Sequence, residues 1–260
     1  MAVIDTDDLV LSKRKLPHAL DKGIGTRAVV GLLVLASDYT IEYEFRRVFS
    51  MAGVALYHAR LWNDTNITVE TLAAMETEIP KAARLLPPQA DFDVIGYGCT
   101  SGTAVMGEDK VFARIREGKA ARHCTTPVTG ALAALKALSV RRIALLTPYA
   151  DEVNQSLRRF FMGRGLEIPV MGSFTELDDN KVARISTASI RDAAIDLGKH
   201  PAVDGVFVSC TSLRTIDIAA EVESVIGKPV TASNHAMAWH SLRLAGVQDK
   251  LPQFGRLFAL

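Results

Sequence analysis

The chain contains an internal repeat in which the second half matches the first at an offset of 111 or 112 positions. The clearest match joins residues 93–101 to residues 204–212, and both segments end in Cys-Thr-Ser. Solenoid units span only about 20–50 residues, so this period excludes a solenoid. The repeat predicts two similar domains related by a pseudo-twofold axis. Other matched positions are Arg46-Arg47 with Arg158-Arg159, Phe49 with Phe161, Gly53 with Gly165, Ala82-Ala83 with Ala193-Ala194, and Leu86 with Leu197.

Short apolar runs rich in β-branched residues alternate with amphipathic stretches in both halves of the chain. Strands are predicted at residues 28–36, 54–59, 94–97, 143–146, 166–171 and 206–208. Helices are predicted at residues 42–50, 69–85, 128–138, 152–162, 182–197 and 214–226. This alternation is typical of parallel sheets that are covered by helices on their faces. We therefore predict an α/β fold.

Composition excludes several classes of protein. The formal charge is +1, and nothing downstream of the basic run Lys13-Arg14-Lys15 supports a nucleic-acid-binding face. The longest apolar run, residues 28–36, is about half as long as a membrane-spanning helix. The first residues are acidic, so we expect no secretory signal, and an odd count of three cysteines favours a reducing compartment. We expect a cytoplasmic globular protein that binds neither nucleic acid nor membrane.

The two Cys-Thr-Ser segments follow predicted strands, at 93–98 and 204–209. Ligands of parallel α/β sheets bind outside the carboxyl ends of the strands, which is where Cys99 and Cys210 fall. We expect a helix after each Thr-Ser pair, whose free amides would favour an anion and lower the pKa of the thiol. Two domains related by a twofold axis would place the sulfurs on opposite sides of one cleft. Two such groups can remove a proton from one face of a planar carbon and deliver one to the other.

A structural interpretation of the cysteines competes with this one, because free cysteine is often a buried small hydrophobe. The matched sequence contexts of Cys99 and Cys210 favour catalysis. Cys124 has no counterpart in the repeat and directly follows His123. We expect a structural or incidental role for it, with a position lining the cleft as the alternative.

Other kinds of site find little support. His235 and His240 are five residues apart and lie off one helical face, so no metal site is predicted. No glycine-rich nucleotide-binding motif occurs, and the serine in Gly-Cys-Thr-Ser-Gly is misplaced for a hydrolase elbow. We therefore predict neither a metal nor an organic cofactor.

At these residues the sequence resembles the aspartate/glutamate racemase superfamily, in the branch of maleate cis-trans isomerase, arylmalonate decarboxylase and the ectoine-utilisation protein EutA. The resemblance extends from about Arg27 to Val247. Its motifs are Tyr-Gly-Cys-Thr-Ser at 97–101, Thr-Pro-Tyr at 147–149, Asp-Asn at 179–180 and Ser-Cys-Thr-Ser at 209–212. It implies two pseudo-symmetric Rossmann-like domains, each with a parallel four-stranded sheet, an active-site cleft between them, no cofactor, and a homodimer.

The repeat and the resemblance together suggest domain boundaries. Residues 1–25 form an N-terminal extension. Residues 26–124 and 231–260 form the first α/β domain, and residues 125–230 form the second.

The resemblance also implies roles for individual residues. Cys99 would be the nucleophile or base of the first domain, and Cys210 the acid or partner base of the second. Tyr149 would orient a substrate carboxylate, with a helix-start packing role as the alternative. Asn180 would be a cleft asparagine, with a plain turn cap as the alternative. Hydrogen bonds to substrate carboxylates would come from the loops that contain Thr100, Ser101, Thr211 and Ser212.

One departure from the family pattern concerns the residue that follows the first strand. Maleate isomerases have an asparagine where this chain has Ser37-Asp38-Tyr39-Thr40. An ionised Asp38 would repel a dicarboxylate and attract an ammonium group. The amino-acid racemases of the superfamily similarly have an aspartate after the first strand. Asp38 therefore favours an amino-acid-like substrate, with a helix cap ahead of Ile41 as the alternative.

These features predict a cofactor-independent racemase or isomerase of a small carboxylate, an amino acid or a derivative such as an aspartate-like or diaminobutyrate-like compound. One cysteine would act as base and the other as acid. The alternatives are maleate cis-trans isomerisation through a covalent cysteine adduct, arylmalonate-type decarboxylation, and non-catalytic binding of a small carboxylate. The presence of both cysteines fits a single-cysteine decarboxylase less well.

Overall fold

The structure, a computed structural model, describes residues 16–260 and contains two four-stranded parallel sheets. The first has the order β2-β1-β3-β4 and the second the order β6-β5-β7-β8. The same order in both sheets confirms the predicted duplicated α/β fold. Lys13-Arg14-Lys15 and most of the predicted N-terminal extension lie outside the described residues. The strands are β1 (Ala28–Leu35), β2 (Val54–Leu61), β3 (Phe92–Gly98), β4 (Ala121–Thr125), β5 (Arg142–Thr147), β6 (Glu167–Ser173), β7 (Gly205–Val208) and β8 (Val230–Ala232).

Helices cover both faces of the two sheets. They are α1 (Ile41–Val48), α2 (Val69–Ala74), α3 (Ile79–Ala83), α4 (Thr100–Met106), α5 (Glu108–Gly118), α6 (Pro127–Ala137), α7 (Asp151–Met162), α8 (Asp179–Val182), α9 (Thr187–Gly198), α10 (Ala219–Ile226) and α11 (Ser233–Leu244). Single 3₁₀ turns occur at Met75–Thr77, Pro252–Phe254 and Arg256–Ala259. Within residues 16–260 no helix is long and apolar enough to cross a membrane.

The sequence prediction missed two edge strands. β4 reads Ala-Arg-His-Cys-Thr, and its first three side chains are exposed or half-buried, so it lacks an apolar run. β8 has only three residues. Both are recognisable as strands only once they pair, β4 with β3 and β8 with β7.

Three predicted helices have different limits in the structure. The helix predicted at 69–85 is divided into α2, a 3₁₀ turn and α3. Pro80 lies in the first turn of α3, where its missing N–H is tolerated, whereas it would break the interior of one long helix. The helix predicted at 182–197 begins only at Thr187, because the hydroxyl of Ser186 accepts the Ser189 N–H and caps it there. The helix predicted at 214–226 begins only at Ala219, because buried polar contacts hold the preceding residues in turns.

The repeat is visible in matched backbone contacts of the two domains. Asp93 accepts the N–H of Val29 at the start of β1 (2.9 Å), and Asp204 accepts the N–H of Arg142 at the start of β5 (3.1 Å). Gly53 and Gly165 have φ of 80° and 84° in the turns before β2 and β6, a conformation that favours glycine. The sequence matches therefore reflect a shared way of starting each strand.

Helices α6 and α11 join the two halves of the molecule. α11 follows β8 of the second sheet but packs against α6, against α1 and against β3 of the first sheet. The predicted boundary between residues 230 and 231 falls inside β8. The helix backbones approach closely at Gly130 of α6, where a Cβ would lie 2.8 Å from the Cα of Met237.

We expect Gly130→Ala to lower the free energy of unfolding by about 1–3 kcal/mol, because the new methyl group would collide with backbone that cannot rotate away. Gly163→Ala is the matched control, since Gly163 is exposed at the end of α7 with a helical φ of −64°. Urea denaturation of both variants provides the measurement. A Gly130→Ala protein as stable as Gly163→Ala would contradict the close packing of α6 on α11.

Candidate active site

A small cavity lies between the two domains at the carboxyl ends of their strands. It follows β1 and β3 of the first sheet and β5 and β7 of the second, where ligands of parallel sheets are expected. Its volume of about 20 Å³ holds roughly one water molecule. The lining residues are Leu35, Asn63, Asp64, Asn66, Ile67, Thr71, Leu72, Met75, Cys99, Thr100, Ser101, Tyr149, Asp179, Cys210 and Thr211. The structure thus brings both cysteines of the repeat to one cavity.

Cys99 lies at the start of α4, where its Sγ accepts the N–H of Gly102 (3.3 Å). The hydroxyl of Ser101 lies 3.8 Å from the same sulfur. Gly102 is required at this position, because a Cβ there would lie 2.9 Å from the Tyr97 hydroxyl and 3.0 Å from Cys99 Sγ. The local sequence therefore fixes the direction in which the Cys99 thiol points.

Cys210 has a different backbone setting from Cys99. No helix begins after it, in contrast to the prediction, and residues 211–218 form turns before α10. Its φ of 119° is unfavourable for a residue with a side chain, and such strain is common at functional sites. Its N–H donates to the hydroxyl of Ser233 (2.9 Å), which also accepts the hydroxyl of Thr100 (2.8 Å). Ser233 therefore links the two cysteine loops.

Glu44 of α1 holds the turns that follow Cys210. One carboxylate oxygen accepts the N–H groups of Thr215 (2.5 Å) and Ile216 (2.7 Å), and the other accepts the amide of Asn234 (2.8 Å). The same Asn234 amide donates to the carbonyl of Thr211 (2.7 Å). Burial raises the pKa of Glu44 to about 7.

Glu44 was not identified from the sequence, although its position among the apolar residues of α1 indicated a buried role. Glu44 falls on the buried side of α1 with Ile41, Phe45 and Val48. An acidic residue within the apolar stripe of a helix indicates a buried hydrogen-bonding role.

Burial raises the pKa of the Cys99 thiol to about 11. It raises the pKa of Cys210 even further. Hydrogen bonds from Gly102 and Ser101 lower the pKa of Cys99, but desolvation outweighs them. The expectation that a helix start would yield a low thiol pKa is therefore wrong for both cysteines. Cys99 is the more readily ionised of the two.

Tyr149 lines the cavity beside both cysteines. Burial, followed by the charges of Cys210 and Cys99, raises the pKa of its hydroxyl well above the usual range. Its carbonyl accepts hydrogen bonds from Asn154 (2.8 Å) and Ser173 (2.6 Å), which fix the backbone of the loop after β5. The side chain is available as a neutral donor.

Asp38 caps helix α1 rather than lining the cavity. One of its oxygens accepts the N–H groups of Thr40 (2.7 Å) and Ile41 (2.8 Å). This oxygen therefore has the helix-capping role that was the alternative expected from the sequence. The other oxygen has no hydrogen-bond partner in the described part of the chain, although Asp38 is only 1% exposed. Burial raises the pKa of Asp38 to about 6.

Asn180 lies outside the cavity, and its neighbour Asp179 lines it instead. The side chain of Asn180 donates to Asp178 (3.1 Å), as in the turn-cap alternative, and borders a surface depression near Tyr39. The Asp179 carboxylate accepts the hydroxyls of Ser212 (2.8 Å) and Ser37. The sequence motif was therefore informative, but the residue in the site is the aspartate.

The Cys-Thr-Ser residues contribute unequally to the cavity wall. Thr100, Ser101 and Thr211 line it, whereas Ser212 lies behind it and uses its hydroxyl to hold Asp179. The N–H groups of Thr100, Ser101 and Thr211 find no acceptor among residues 16–260. These three donors are available to a ligand.

A short backbone bridge between the domains forms part of the cavity wall. The N–H of Ile67 donates to the carbonyl of Leu177 (3.1 Å), and the N–H of Asp179 donates to the carbonyl of Thr65 (3.1 Å). The bridge pairs Asn66 with Asp178 in antiparallel fashion. These two residues are separated by the offset of the repeat, as expected where a pseudo-twofold axis passes between equivalent segments.

The remaining cysteine and histidines have structural contacts. Cys124 is buried on β4 and does not line the cavity. His235 pairs with the carbonyl of Phe254 (2.7 Å) and His240 with Thr125 (2.8 Å). In the described residues no three side chains of His, Cys, Asp or Glu are grouped so that they could hold a metal ion.

Comparisons with known proteins agree with this arrangement. The sequence model of the arylmalonate decarboxylase family matches residues 108–258. The arylmalonate decarboxylase of Bordetella bronchiseptica is 39% identical over 137 residues, which cover 52% of this chain and 57% of that enzyme. The maleate isomerase of Pseudomonas putida is 26% identical over 245 residues, which cover 88% of this chain and 96% of that enzyme.

A solved structure shows the same fold. A mutant of Nocardia farcinica maleate cis-trans isomerase, with a covalently bound succinylcysteine intermediate, has a TM-score of 0.80 to this chain at 23% identity. The likeness covers 89% of this chain and 98% of the isomerase. The family match spans more than half of this chain, whereas the alignment to the Bordetella enzyme spans little more than half of that enzyme. The chain belongs to the arylmalonate decarboxylase family, in the branch of the aspartate/glutamate racemase superfamily that also contains the maleate isomerases.

Proposed function

We propose that the protein is a cofactor-independent isomerase of a small carboxylate, with Cys99 and Cys210 as its two reacting groups. The observation that carries this proposal is that two buried thiols, from equivalent loops of the two domains, line one cavity. The maleate isomerases to which the chain is similar support isomerase chemistry. The homodimer and the cytoplasmic location remain predictions.

In the first form of the reaction the substrate is an amino acid or a derivative, and the enzyme inverts its α-carbon. The Cys99 thiolate removes the α-proton, and the electrons of the broken C–H bond pass into the carboxylate to give an enolate-like intermediate. The Cys210 thiol then donates its proton to the opposite face of the carbon. The free N–H groups of Thr100, Ser101 and Thr211 would stabilise the negative charge on the carboxylate, with Tyr149 as a further donor.

Burial makes each thiolate a stronger base, but it lowers the fraction of each thiol that is ionised. At neutral pH burial keeps both as thiols, so only a small fraction of the enzyme holds a thiolate. A thiolate of high pKa is, in return, a stronger base toward a weakly acidic C–H group. The less strongly shifted Cys99 is the better candidate for the base.

The second form is cis-trans isomerisation of a maleate-like diacid. The Cys99 thiolate would add to the double bond, and the Cys210 thiol would give its proton to the adjacent carbon. After rotation about the new single bond, the Cys210 thiolate would take a proton back from that carbon while the Cys99 thiolate leaves, which gives the trans isomer. The succinylcysteine intermediate of the Nocardia enzyme favours this form. Decarboxylation, the activity after which the Bordetella relative is named, would release carbon dioxide.

We expect deuterium from heavy water to appear at Cα of one amino acid in the presence of the wild-type protein, and neither Cys99→Ala nor Cys210→Ala to support this exchange. NMR of the protein with a panel of amino acids and diacids, including aspartate and 2,4-diaminobutyrate, is the measurement. Cys124→Ala is the matched control, because Cys124 is buried but lies outside the cavity. Full turnover in both cavity variants would refute the two-cysteine mechanism. Conversion of maleate to fumarate without Cα exchange would support the cis-trans form.

We expect kcat/KM to rise about tenfold per pH unit between about pH 7.5 and 9, because only the deprotonated form of Cys99 can act as the base. The sign follows from the raised pKa of about 11, below which the thiolate fraction grows with pH. Asp38 and Glu44 titrate below this window, at pKa values of about 6 and 7. Initial rates under kcat/KM conditions test the slope. A plateau throughout this window would show that the base is not a buried thiol.

A further inference from the structure

Two buried carboxylates, Asp179 and Asp38, lie near the cysteines. The Arg60 guanidinium pairs with Glu42 and contacts Asp38 only at its backbone carbonyl (3.1 Å). Asp179 and Asp38 are 5% and 1% exposed, and neither forms an ion pair within the part of the chain that the structure describes. The hydroxyl of Ser37, the residue before Asp38, donates to Asp179, so the two carboxylates lie in adjoining parts of the site. Buried carboxylates without a cationic partner are costly to the folded state. Their presence therefore points to a ligand that supplies the missing positive charge.

The cavity wall has no positive side chain of its own. Its lining contains Asp64 and Asp179 but no lysine, arginine or histidine. A ligand with two carboxylates would meet only backbone N–H groups, hydroxyls and amides, together with the repulsion of Asp179. A ligand with one carboxylate and one ammonium group could use the free N–H groups for the former and Asp179 for the latter.

Asp179 is held in place by hydroxyl groups of both domains. Ser37 and Ser212 each donate to one of its oxygens. Ser37 is in turn fixed by Asn63, whose side-chain amide donates to the hydroxyl (2.8 Å) and whose oxygen accepts the Ser37 N–H (3.1 Å). The Asp179 backbone is anchored by the bridge to Thr65. This support orients the carboxylate while leaving its charge unneutralised.

Asp38 adds a further observation about the same pair of carboxylates. Its unpartnered oxygen is buried, and the nearby hydroxyl of Thr211, a residue of the cavity wall, lowers the pKa of Asp38. Buried polar atoms without partners are rare and call for an explanation. A cation bound beside Asp179 would supply one.

We propose that Asp179, with Asp38 behind it, binds the ammonium group of the substrate, so that the enzyme selects an amino acid over the corresponding acid without the amino group. This inference rests on the proposed function, since it places the reacting carbon of an amino acid between Cys99 and Cys210.

The same contact would couple recognition to catalysis. The charge of Asp179 raises the pKa of both cysteines. An ammonium group paired with Asp179 removes much of that effect and makes the thiolate easier to form. Binding of the correct substrate would thus assist ionisation of the base.

The test is isothermal titration calorimetry of the full chain with matched ligand pairs. The pairs are aspartate with succinate, alanine with propionate, and 2,4-diaminobutyrate with 4-aminobutyrate, the amino acids in both enantiomers. The variants are Asp179→Asn, which keeps the shape and one oxygen acceptor for the serine hydroxyls, and Asp38→Asn, which keeps a cap for α1. Asp178→Asn is the matched control, because Asp178 is adjacent in sequence but bonds to Asn180 of its own turn and lies outside the cavity.

We expect at least one amino acid to bind the wild type about tenfold or more tightly than its deamino partner. Asp179→Asn should remove that preference without weakening the deamino acid, Asp38→Asn should reduce it, and Asp178→Asn should retain it. A wild type without any preference for the amino acid would overturn the proposal. An Asp179→Asn protein that is folded by circular dichroism and keeps the full preference would do the same.

Failure of this inference and failure of the proposed function give different results. Equilibrium binding does not require turnover, so a preference that depends on Asp179 can stand even when both cysteine variants remain fully active. Conversely, cysteine-dependent exchange or isomerisation without an amino-group preference would remove only the role of Asp179.

Discussion

Burial of polar groups between the two domains governs the chemistry of the site. A backbone bridge from Thr65–Ile67 to Leu177–Asp179 borders the cavity, and the cysteines, Tyr149 and Asp179 in its wall are almost fully buried. Desolvation is consequently the largest influence on Cys99, Cys210, Tyr149 and Asp38. In such a site every hydrogen bond and every charge has a greater effect than it would in water. The volume of about 20 Å³ is too small for a carboxylate substrate, so the cavity must widen before a substrate can bind.

The junction between the domains depends on polar contacts from both sides. Ser233 receives hydrogen bonds from Thr100 and Cys210, and Glu44 reaches from α1 to the turns after Cys210. The Asp179 carboxylate accepts a hydrogen bond from one serine hydroxyl of each domain. These contacts connect the position of each cysteine to the packing of the opposite domain. A movement that opens the cavity would therefore change both cysteine environments together.

The duplicated fold supports an asymmetric site. The strand order and the starts of the strands are shared between domains, as the contacts of Asp93 and Asp204 show. The segments after the strands differ, because Cys99 begins a helix, whereas Cys210 lies in a strained turn held by Ser233 and Glu44. This asymmetry gives the two thiols different ionisation, which suits one to act as base and the other as acid.

The sequence by itself determined the α/β class, the duplication and the two cysteines, because strand–helix alternation and the repeated Cys-Thr-Ser are local patterns. It also indicated the loops after the strands as the site, since parallel sheets bring those ends together. Only the tertiary structure decided which residues of these loops enter the cavity. It selected Asp179 over Asn180, directed one oxygen of Asp38 into a helix cap, and revealed Glu44 and Ser233 as supports. The physical reason is that side-chain direction and burial depend on contacts between residues as far apart in sequence as Ser37 and Asp179. The same contacts set the thiol pKa values, because desolvation arises from packing the two domains together and has no signature in the local sequence.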